Sequence, residues 1–200
     1  MSLSNLSQSS RKNFQRGQRF LARTRYKFHK GFMSLELGLV LLVIAVAIVS
    51  AVLYYRDNLR KTSINNNIQQ ISSTAASLRA KYGQSNQYGS VTTSLAVRSS
   101  AIPEALRDGT AATASNSFGG AITVAPTTLT GANDSLEIVW PNVPDKQCSD
   151  IVTSVQREMR QVAVDSTTVK ANNGQLDLNA VETACESASA VTLHFWIGRS

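Results

Sequence analysis

Few side chains of this 200-residue sequence have the types and spacing that chemistry requires. The sequence contains no nucleophile motif, no glycine-rich phosphate loop and no pair of carboxylates at catalytic spacing. His194 falls in a strand-like pattern, where a surface or packing role is more natural than general-base catalysis. Neither His29 nor His194 stands at metal-ligand spacing from the two cysteines, Cys148 and Cys185. The sequence therefore predicts no enzyme, no metal site and no cofactor.

Glu36 is the most unusual acidic residue, because it stands at the start of an apolar run. Between residues 37 and 55 the only residues that are not apolar are Gly38 and Ser50. As a helix this run would span about 28 Å, close to the ~30 Å hydrocarbon core of a bilayer. A carboxylate well inside a membrane helix costs about 2.5–3.5 kcal/mol and usually marks a partner. At the interface, the helix dipole would stabilise the carboxylate instead.

The positive charge of the chain is confined to its first 31 residues. The formal net charge is +7, with eight Lys or Arg and no Asp or Glu in residues 1–31. Residues 32–200 contain twelve Lys or Arg and thirteen Asp or Glu, a balance of −1. The positive-inside rule then places residue 1 in the cytoplasm and the part after the apolar run outside. A near-neutral remainder has no electrostatic footprint for DNA, so we predict no nucleic-acid partner for it.

Three kinds of N-terminus could carry this pattern: a cleaved signal peptide, a permanent signal anchor, or a leader that is cut before the apolar run. An ordinary signal peptide has about 7–15 apolar residues followed by a cleavage site of small residues. Here the small residues Ala45 and Ala47 lie inside the run, and the helical pattern continues past Tyr55. The pattern disfavours the cleaved signal peptide and leaves the other two open.

A helical stripe continues beyond the apolar run. Its apolar members recur at steps of three and four residues: Ile64, Ile68, Ile71, Ala75, Leu78 and Tyr82. Gly83 is a suitable C-terminal stop. The sequence predicts one helix from residue 32 to about residue 82, apolar all round over 32–55 and amphipathic over 56–82. Residues 83–200 are then predicted to form a globular head that packs on the amphipathic part.

The head is predicted to contain an antiparallel sheet. Residues 83–133, rich in small and polar residues, are predicted to be a loop region with a helical turn at 102–108. Two strands are predicted at 121–124 and 135–140, and they form a hairpin. Pro126 is expected to end the first strand, and Pro141 and Pro144 the second. A last strand is predicted at 190–197.

A second helix is predicted after the prolines, with Asp145 as its N-cap. Its apolar face is formed by Ile151, Val152, Val155, Met159 and Val162. A sheet laid on the long helix, with this second helix near one edge, makes the fold class α+β. Cys148 and Cys185 lie on the side assigned to the outside, where a disulfide is favoured over two separate thiols. It would close a loop with 36 residues between the cysteines, worth about 3–4 kcal/mol.

Residues 30–36, Lys-Gly-Phe-Met-Ser-Leu-Glu, resemble the processing site of type IV pilins, because they follow a basic leader and precede an apolar helix. The resemblance implies that a membrane peptidase cuts after Gly31 and that Phe32 becomes the N-methylated mature N-terminus. Glu36 then occupies the fifth mature position. Cutting there creates an ammonium at Phe32, and Glu36 of a neighbouring subunit could neutralise it in a medium of low dielectric constant. The pairing would also set the axial register between subunits.

The head extends the resemblance to the type IVb class, and within it to PilS-like pilins of thin conjugative and pathogenicity pili. The likeness rests on the Gly119-Gly120 turn before the first strand, on Val143-Pro144 before Cys148, and on the distant Cys185. It implies a type IV pilin fold and a prepilin that is the major subunit of a pilus for adhesion, aggregation or conjugative transfer. The prepilin would lie in the inner membrane with its head in the periplasm, and would later join the extracellular pilus.

The resemblance also implies partners. These are further copies of the chain in a helical homopolymer, the prepilin peptidase, an inner-membrane assembly platform with its ATPase, an outer-membrane secretin, and membrane lipid before assembly. A minor pilin, a pseudopilin of a type II secretion system and a signal-anchored periplasmic domain are the alternatives. Abundance in sheared fibres separates a minor pilin from a major subunit. A pseudopilin is expected to have a smaller head without this disulfide loop, and a signal-anchored domain keeps its full chain in the membrane.

Overall fold

The structure, a computed structural model, describes residues 32–84, 88–109 and 111–198. The chain divides into two compact units, with the boundary between Ala51 and Val52. Helix α1 covers Phe32–Leu78, and a π-helical turn, Arg79–Gly83, follows it directly. The predicted helix from residue 32 to about residue 82 is therefore confirmed, although its final turn is wider than expected.

The second unit contains a five-stranded antiparallel sheet with the order β1-β2-β5-β3-β4. The strands are β1 (Thr123–Thr127), β2 (Ser135–Pro144), β3 (Gln161–Val164), β4 (Thr167–Lys170) and β5 (Ala190–Gly198). The predicted hairpin is present, since β1 pairs with β2 from Thr123 opposite Val139 to Thr127 opposite Ser135. The strand predicted at 190–197 is β5, which occupies the centre of the sheet.

Two of the three prolines do not end their strands as predicted, whereas Pro144 is the last residue of β2. Pro126 lies inside β1, which is tolerated because β1 is an edge strand and one side of its backbone needs no partner. Pro141 lies inside β2, at an irregularity where the pairing with β5 shifts between Trp140 and Val143. Asn142 has a φ of +61° at this bulge, which takes Pro141 out of the regular hydrogen-bond ladder. The second predicted strand therefore extends four residues further than expected, to Pro144.

The second predicted helix is shorter than its periodicity indicated. Helix α3 covers Asp145–Val155, so Asp145 is its first residue and Pro144 takes the N-cap position. The Asp145 carboxylate accepts a hydrogen bond from the backbone N–H of Lys146 at 2.7 Å. A 3-10 turn, Gln156–Glu158, ends this helix. Met159 therefore lies outside the helix and Val162 lies in β3, although both were predicted on the helical face. Both side chains are nevertheless buried in the core that α3 also faces.

Two short helices and two strands were not predicted. Helix α2, Thr93–Arg98, is capped by the Thr92 hydroxyl, which accepts a hydrogen bond from the backbone of Leu95. Helix α4, Leu178–Cys185, is capped by Asp177. Strands β3 and β4 form a tight hairpin in which Asp165 has a φ of +49°. In the loop region, the turn predicted at 102–108 is present as the 3-10 turn Glu104–Leu106.

The amphipathic part of α1 packs on the sheet, as predicted. Ile71, Ala75 and Leu78 of the predicted stripe are fully buried, and they belong to one core with the inward residues of the sheet. A polar contact crosses this core: the indole Nε1 of Trp140 donates to Asn67 Oδ1 at 3.2 Å. The α+β fold with a long helix on an antiparallel sheet is therefore confirmed.

Candidate functional site: the apolar helix surface and the disulfide-closed region

The residues of the predicted processing site stand at the start of α1. Gly31 lies outside the described residues, and Phe32 is the first residue of the helix. Glu36 lies in the second turn, and its side chain is exposed. The carboxylate is therefore exposed in a single chain. A positive charge that pairs with it must belong to another molecule or to the N-terminal end of the chain.

An apolar surface follows Glu36 along the helix, and we call its residues 37–55 the apolar helix surface. Its large apolar side chains are between 48% and 77% exposed, although such side chains are normally buried. Among the described residues, one helix, Glu36–Gly83, is long and apolar enough to cross a membrane. Ser50 does not interrupt it, because its hydroxyl donates to the Val46 carbonyl at 2.8 Å. The surface therefore needs lipid or other protein to leave water.

Cys148 and Cys185 form the predicted disulfide. Cys148 lies in α3 and Cys185 ends α4, and their Cα atoms are 5.7 Å apart. Both residues are buried. The closed segment, residues 149–184, is more than a loop, because it contains β3, β4 and most of α4. The disulfide therefore joins α3 to α4, and the segment that it closes contains β3 and β4, the two strands at one edge of the sheet.

A cleft beside the disulfide has more acidic than basic residues in its lining. The cleft, of about 470 Å³, lies between α3 and α4 and is lined by Asp145, Glu182 and Glu186, with Lys146 as its one basic residue. Within the described ranges, no group of three or more His, Cys, Asp or Glu residues could hold a metal ion.

The Gly119-Gly120 turn is built around Asn116, a residue that sequence reasoning missed. The Asn116 side chain accepts from the backbone of Phe118 and of Gly120, both at 2.9 Å, and donates to the Pro141 carbonyl. A Cβ on Gly120 would lie 2.6 Å from that same carbonyl oxygen. Only glycine allows this approach. The signal in the sequence is the glycine pair itself, which marks the turn but not its partner.

His194 takes part in surface packing between neighbouring strands. Its Nδ1 lies 2.7 Å from Oε1 of Glu137, and its ring stacks on Trp196 with centroids 5.9 Å apart. In this described arrangement no serine, threonine or cysteine accompanies the imidazole as a nucleophile. The geometry agrees with the packing role predicted for His194.

Comparison with known proteins assigns the family. The family model described as PilS N terminal matches residues 59–197, more than half of the chain. The chain belongs to the PilS family. This is a family of structural pilins and not of enzymes, in agreement with the lack of catalytic motifs in the sequence. The family match covers most of α1 outside the apolar run and all of the sheet except Gly198, the last residue of β5.

Two further similarities agree with this assignment. The chain is 26% identical over 100 residues to the "Major structural subunit of bundle-forming pilus" of Escherichia coli O127:H6, covering 50% of this chain and 52% of that relative. A homologue of the same description in E. coli O111:H- matches equally well. The chain thus spans about half the length of the curated relatives that it matches.

A solved structure gives the fold. The crystal structure of a type IVb pilin from Salmonella typhi matches with a TM-score of 0.50 at 19% identity, over 70% of this chain and 99% of that one. The predicted type IV pilin fold is therefore confirmed for this member of the PilS family. Its distinguishing parts are the long helix, the antiparallel sheet and the disulfide.

Proposed function

We propose that this chain is made as a prepilin and is the major structural subunit of a type IVb pilus. In this proposal residues 1–31 are a leader that is removed, and residues 32–55 cross the membrane and later form the filament core. Residues 56–82 continue the helix, and residues 83–200 form the head. The observation that carries the proposal is the apolar helix surface on a chain of the PilS family.

The apolar helix surface can leave water in two ways, and a pilus subunit would use both in turn. Before assembly, lipid tails cover it in the inner membrane, with the N-terminus in the cytoplasm and the head in the periplasm. In the fibre, the same helices of other subunits cover it. Extraction needs external energy, which an assembly platform and its ATPase would supply, and the fibre would leave the cell through a secretin.

Glu36 would guide this assembly. Cleavage after Gly31 by a prepilin peptidase creates an ammonium at Phe32, which is then methylated and keeps its charge. A Glu36 carboxylate buried among apolar helices would cost several kcal/mol unless a positive charge is close. The ammonium of a neighbouring subunit provides that charge and favours one axial register.

Mass spectrometry of sheared surface fibres tests the proposal. We expect the dominant protein to begin at Phe32, to carry one added methyl group and to contain the disulfide between Cys148 and Cys185. A subunit present only in traces would be a minor pilin, and one absent from the fibres would fit a pseudopilin. A chain that still begins at Met1 and stays in the membrane would contradict the proposal.

Substitution of Glu36 tests its assembly role. Glu36→Ala would leave the ammonium of the neighbouring subunit buried without a partner. Such an unpaired charge costs about 3–5 kcal/mol, so the variant should reduce fibre yield by about 100-fold or more. The matched control is Asp57→Ala, which removes an exposed carboxylate from the same helix and should leave the yield unchanged. Immunoblots of sheared fibres and of membranes measure both variants. Normal fibres from processed Glu36→Ala subunits would refute this role.

A further inference from the structure

Four cationic side chains converge on one pocket of the second unit. The pocket has a volume of about 450 Å³ and is lined by Arg79, Arg157, Arg160, Lys170, Glu158, Met159, Asn173 and Gly198. We call it the basic pocket. Its cations are four of the twelve Lys and Arg in residues 32–200, where acidic residues are in slight excess. So dense a concentration of positive charge is unexpected in a nearly neutral segment.

Lys170 is the buried cation of the basic pocket, with only 8% of its surface exposed. Its Nζ donates to the carbonyls of Gln156 and Met159, at the C-terminal end of the α3 segment. The negative end of the helix dipole favours a cation here. Among the described residues, however, no carboxylate lies within 4.0 Å of Nζ. Burial lowers the pKa of Lys170, and an anion in the pocket would oppose that effect.

Arg160 is held in a fixed position at the edge of the pocket. Its backbone N–H donates to the Trp196 carbonyl at 2.8 Å, and its Nε donates to Asn172 Oδ1 at 3.1 Å. Its Nη1 lies 3.4 Å from Oδ2 of Asp134. The side chain crosses β5 at Gly198, where an added Cβ would overlap the Arg160 Cδ. The glycine therefore makes room for the guanidinium.

The other two arginines have donors to spare. Arg79 uses one N–H for the Glu158 carbonyl, which leaves most of its five donors. The Arg157 side chain is exposed and makes no hydrogen bond or ion pair within the part of the chain that the structure describes. Two guanidinium groups thus face the basic pocket with unused N–H groups.

The charge balance indicates the class of ligand. The four cations stand against Glu158 and the Asp134 that pairs with Arg160, which leaves a formal balance of +2. Guanidinium forks match both carboxylates and phosphates, but a phosphate monoester carries almost two charges and three acceptor oxygens. We propose that the basic pocket binds a phosphate dianion, either inorganic phosphate or the terminal phosphate monoester of a larger molecule such as a lipid headgroup.

Isothermal titration of the full-length chain in a non-ionic detergent tests this proposal. We expect saturable binding of inorganic phosphate and at least about tenfold weaker binding of acetate, which has one charge. Glycerol 3-phosphate separates the two sources of the ligand. Binding equal to that of phosphate indicates a site open to a headgroup, whereas binding of inorganic phosphate alone indicates a site for the free ion.

Variants locate the binding. Arg157→Gln and Arg79→Gln should each weaken phosphate binding by about tenfold, since each removes charge-assisted hydrogen bonds. The matched control is Arg98→Gln, the same change at an exposed position of α2 that lies outside the pocket. Unfolding midpoints show that the variants remain folded. Absence of saturable binding, equal affinity for acetate, or equal loss in all three variants would overturn the proposal. These titrations use single subunits, so their outcome is independent of fibre formation.

Discussion

Residues 37–55 and residues 64–198 differ in the exposure of their apolar side chains. In the first region the large apolar side chains are about half exposed or more, as in Leu37 and Tyr54. In the second region most are buried, and Ile71, Trp140 and Phe195 are completely so. The second region therefore obtains its hydrophobic stabilisation within one chain, whereas the first can obtain it only from other molecules. Substitutions in the second region should change folding, and those in the first should change assembly.

The largest effect on folding is expected from loss of the disulfide. Cys185→Ser should lower the free energy of unfolding by about 4 kcal/mol, because the unfolded chain regains the freedom of a loop of 36 residues. Thermal unfolding followed by circular dichroism measures this loss. Membrane insertion should stay normal, because the apolar helix surface is untouched. An unchanged unfolding midpoint in this variant would contradict a contribution of the disulfide to the stability of residues 64–198.

A matched pair of isoleucines in α1 makes the sharpest comparison. Ile71→Ala creates a cavity in the core and should cost about 3 kcal/mol of stability. Ile44→Ala removes the same atoms from a side chain that is 48% exposed, and should leave the unfolding midpoint of the subunit unchanged. Its effect should appear in fibre yield. Equal midpoints for the two variants would contradict the comparison.

The smallest effect concerns Asp134, at the turn between β1 and β2. Burial raises the pKa of this carboxyl, but hydrogen bonds from the Thr130 hydroxyl and from the turn backbone, including Leu129, outweigh burial and hold it well below 3.8. A carboxyl whose pKa is lowered by folding stabilises the fold at pH values above its ordinary pKa. This contribution decreases as the pH falls below the ordinary pKa, and it is lost once the pH has fallen through the folded-state pKa.

Asp134→Asn should therefore cost about 1 kcal/mol at neutral pH. The difference in stability from the parent chain should shrink as the pH falls below the ordinary pKa of 3.8. Urea unfolding at a series of pH values checks this. A difference that stays constant down to pH 2 would show that the charge of Asp134 does not matter.

The parts that the sequence predicted well are those with strong local signals. The α1 stripe, the hairpin of β1 and β2, and β5 each repeat a clear period over enough residues. The disulfide followed from two cysteines on the side of the apolar run that the charge distribution assigned to the outside. The processing residues Gly31 and Phe32 stay a prediction, since their chemistry depends on another protein.

The parts that were missed depend on tertiary context. Strands β3 and β4 have four residues each, too few for a period to emerge, and the apolar Val162 continued the helical spacing of α3. Pro126 was expected to stop a strand, but only the sheet order reveals that its strand lies at an edge. The basic pocket combines residues from the π-helical turn after α1, the 3-10 turn after α3, β4 and β5, so no short motif marks it.

The position of β5 in the sheet has a consequence for the order of folding. β5 follows the other four strands along the chain, yet it lies between β2 and β3. A chain synthesised only to residue 189 can form two hairpins, but these share no hydrogen bonds. The joining pairs connect residues as distant as Ser135 and Gly198, so they close longer loops, at a greater entropic cost, than the pairs within either hairpin. The complete sheet thus becomes possible only after residue 198 has been made.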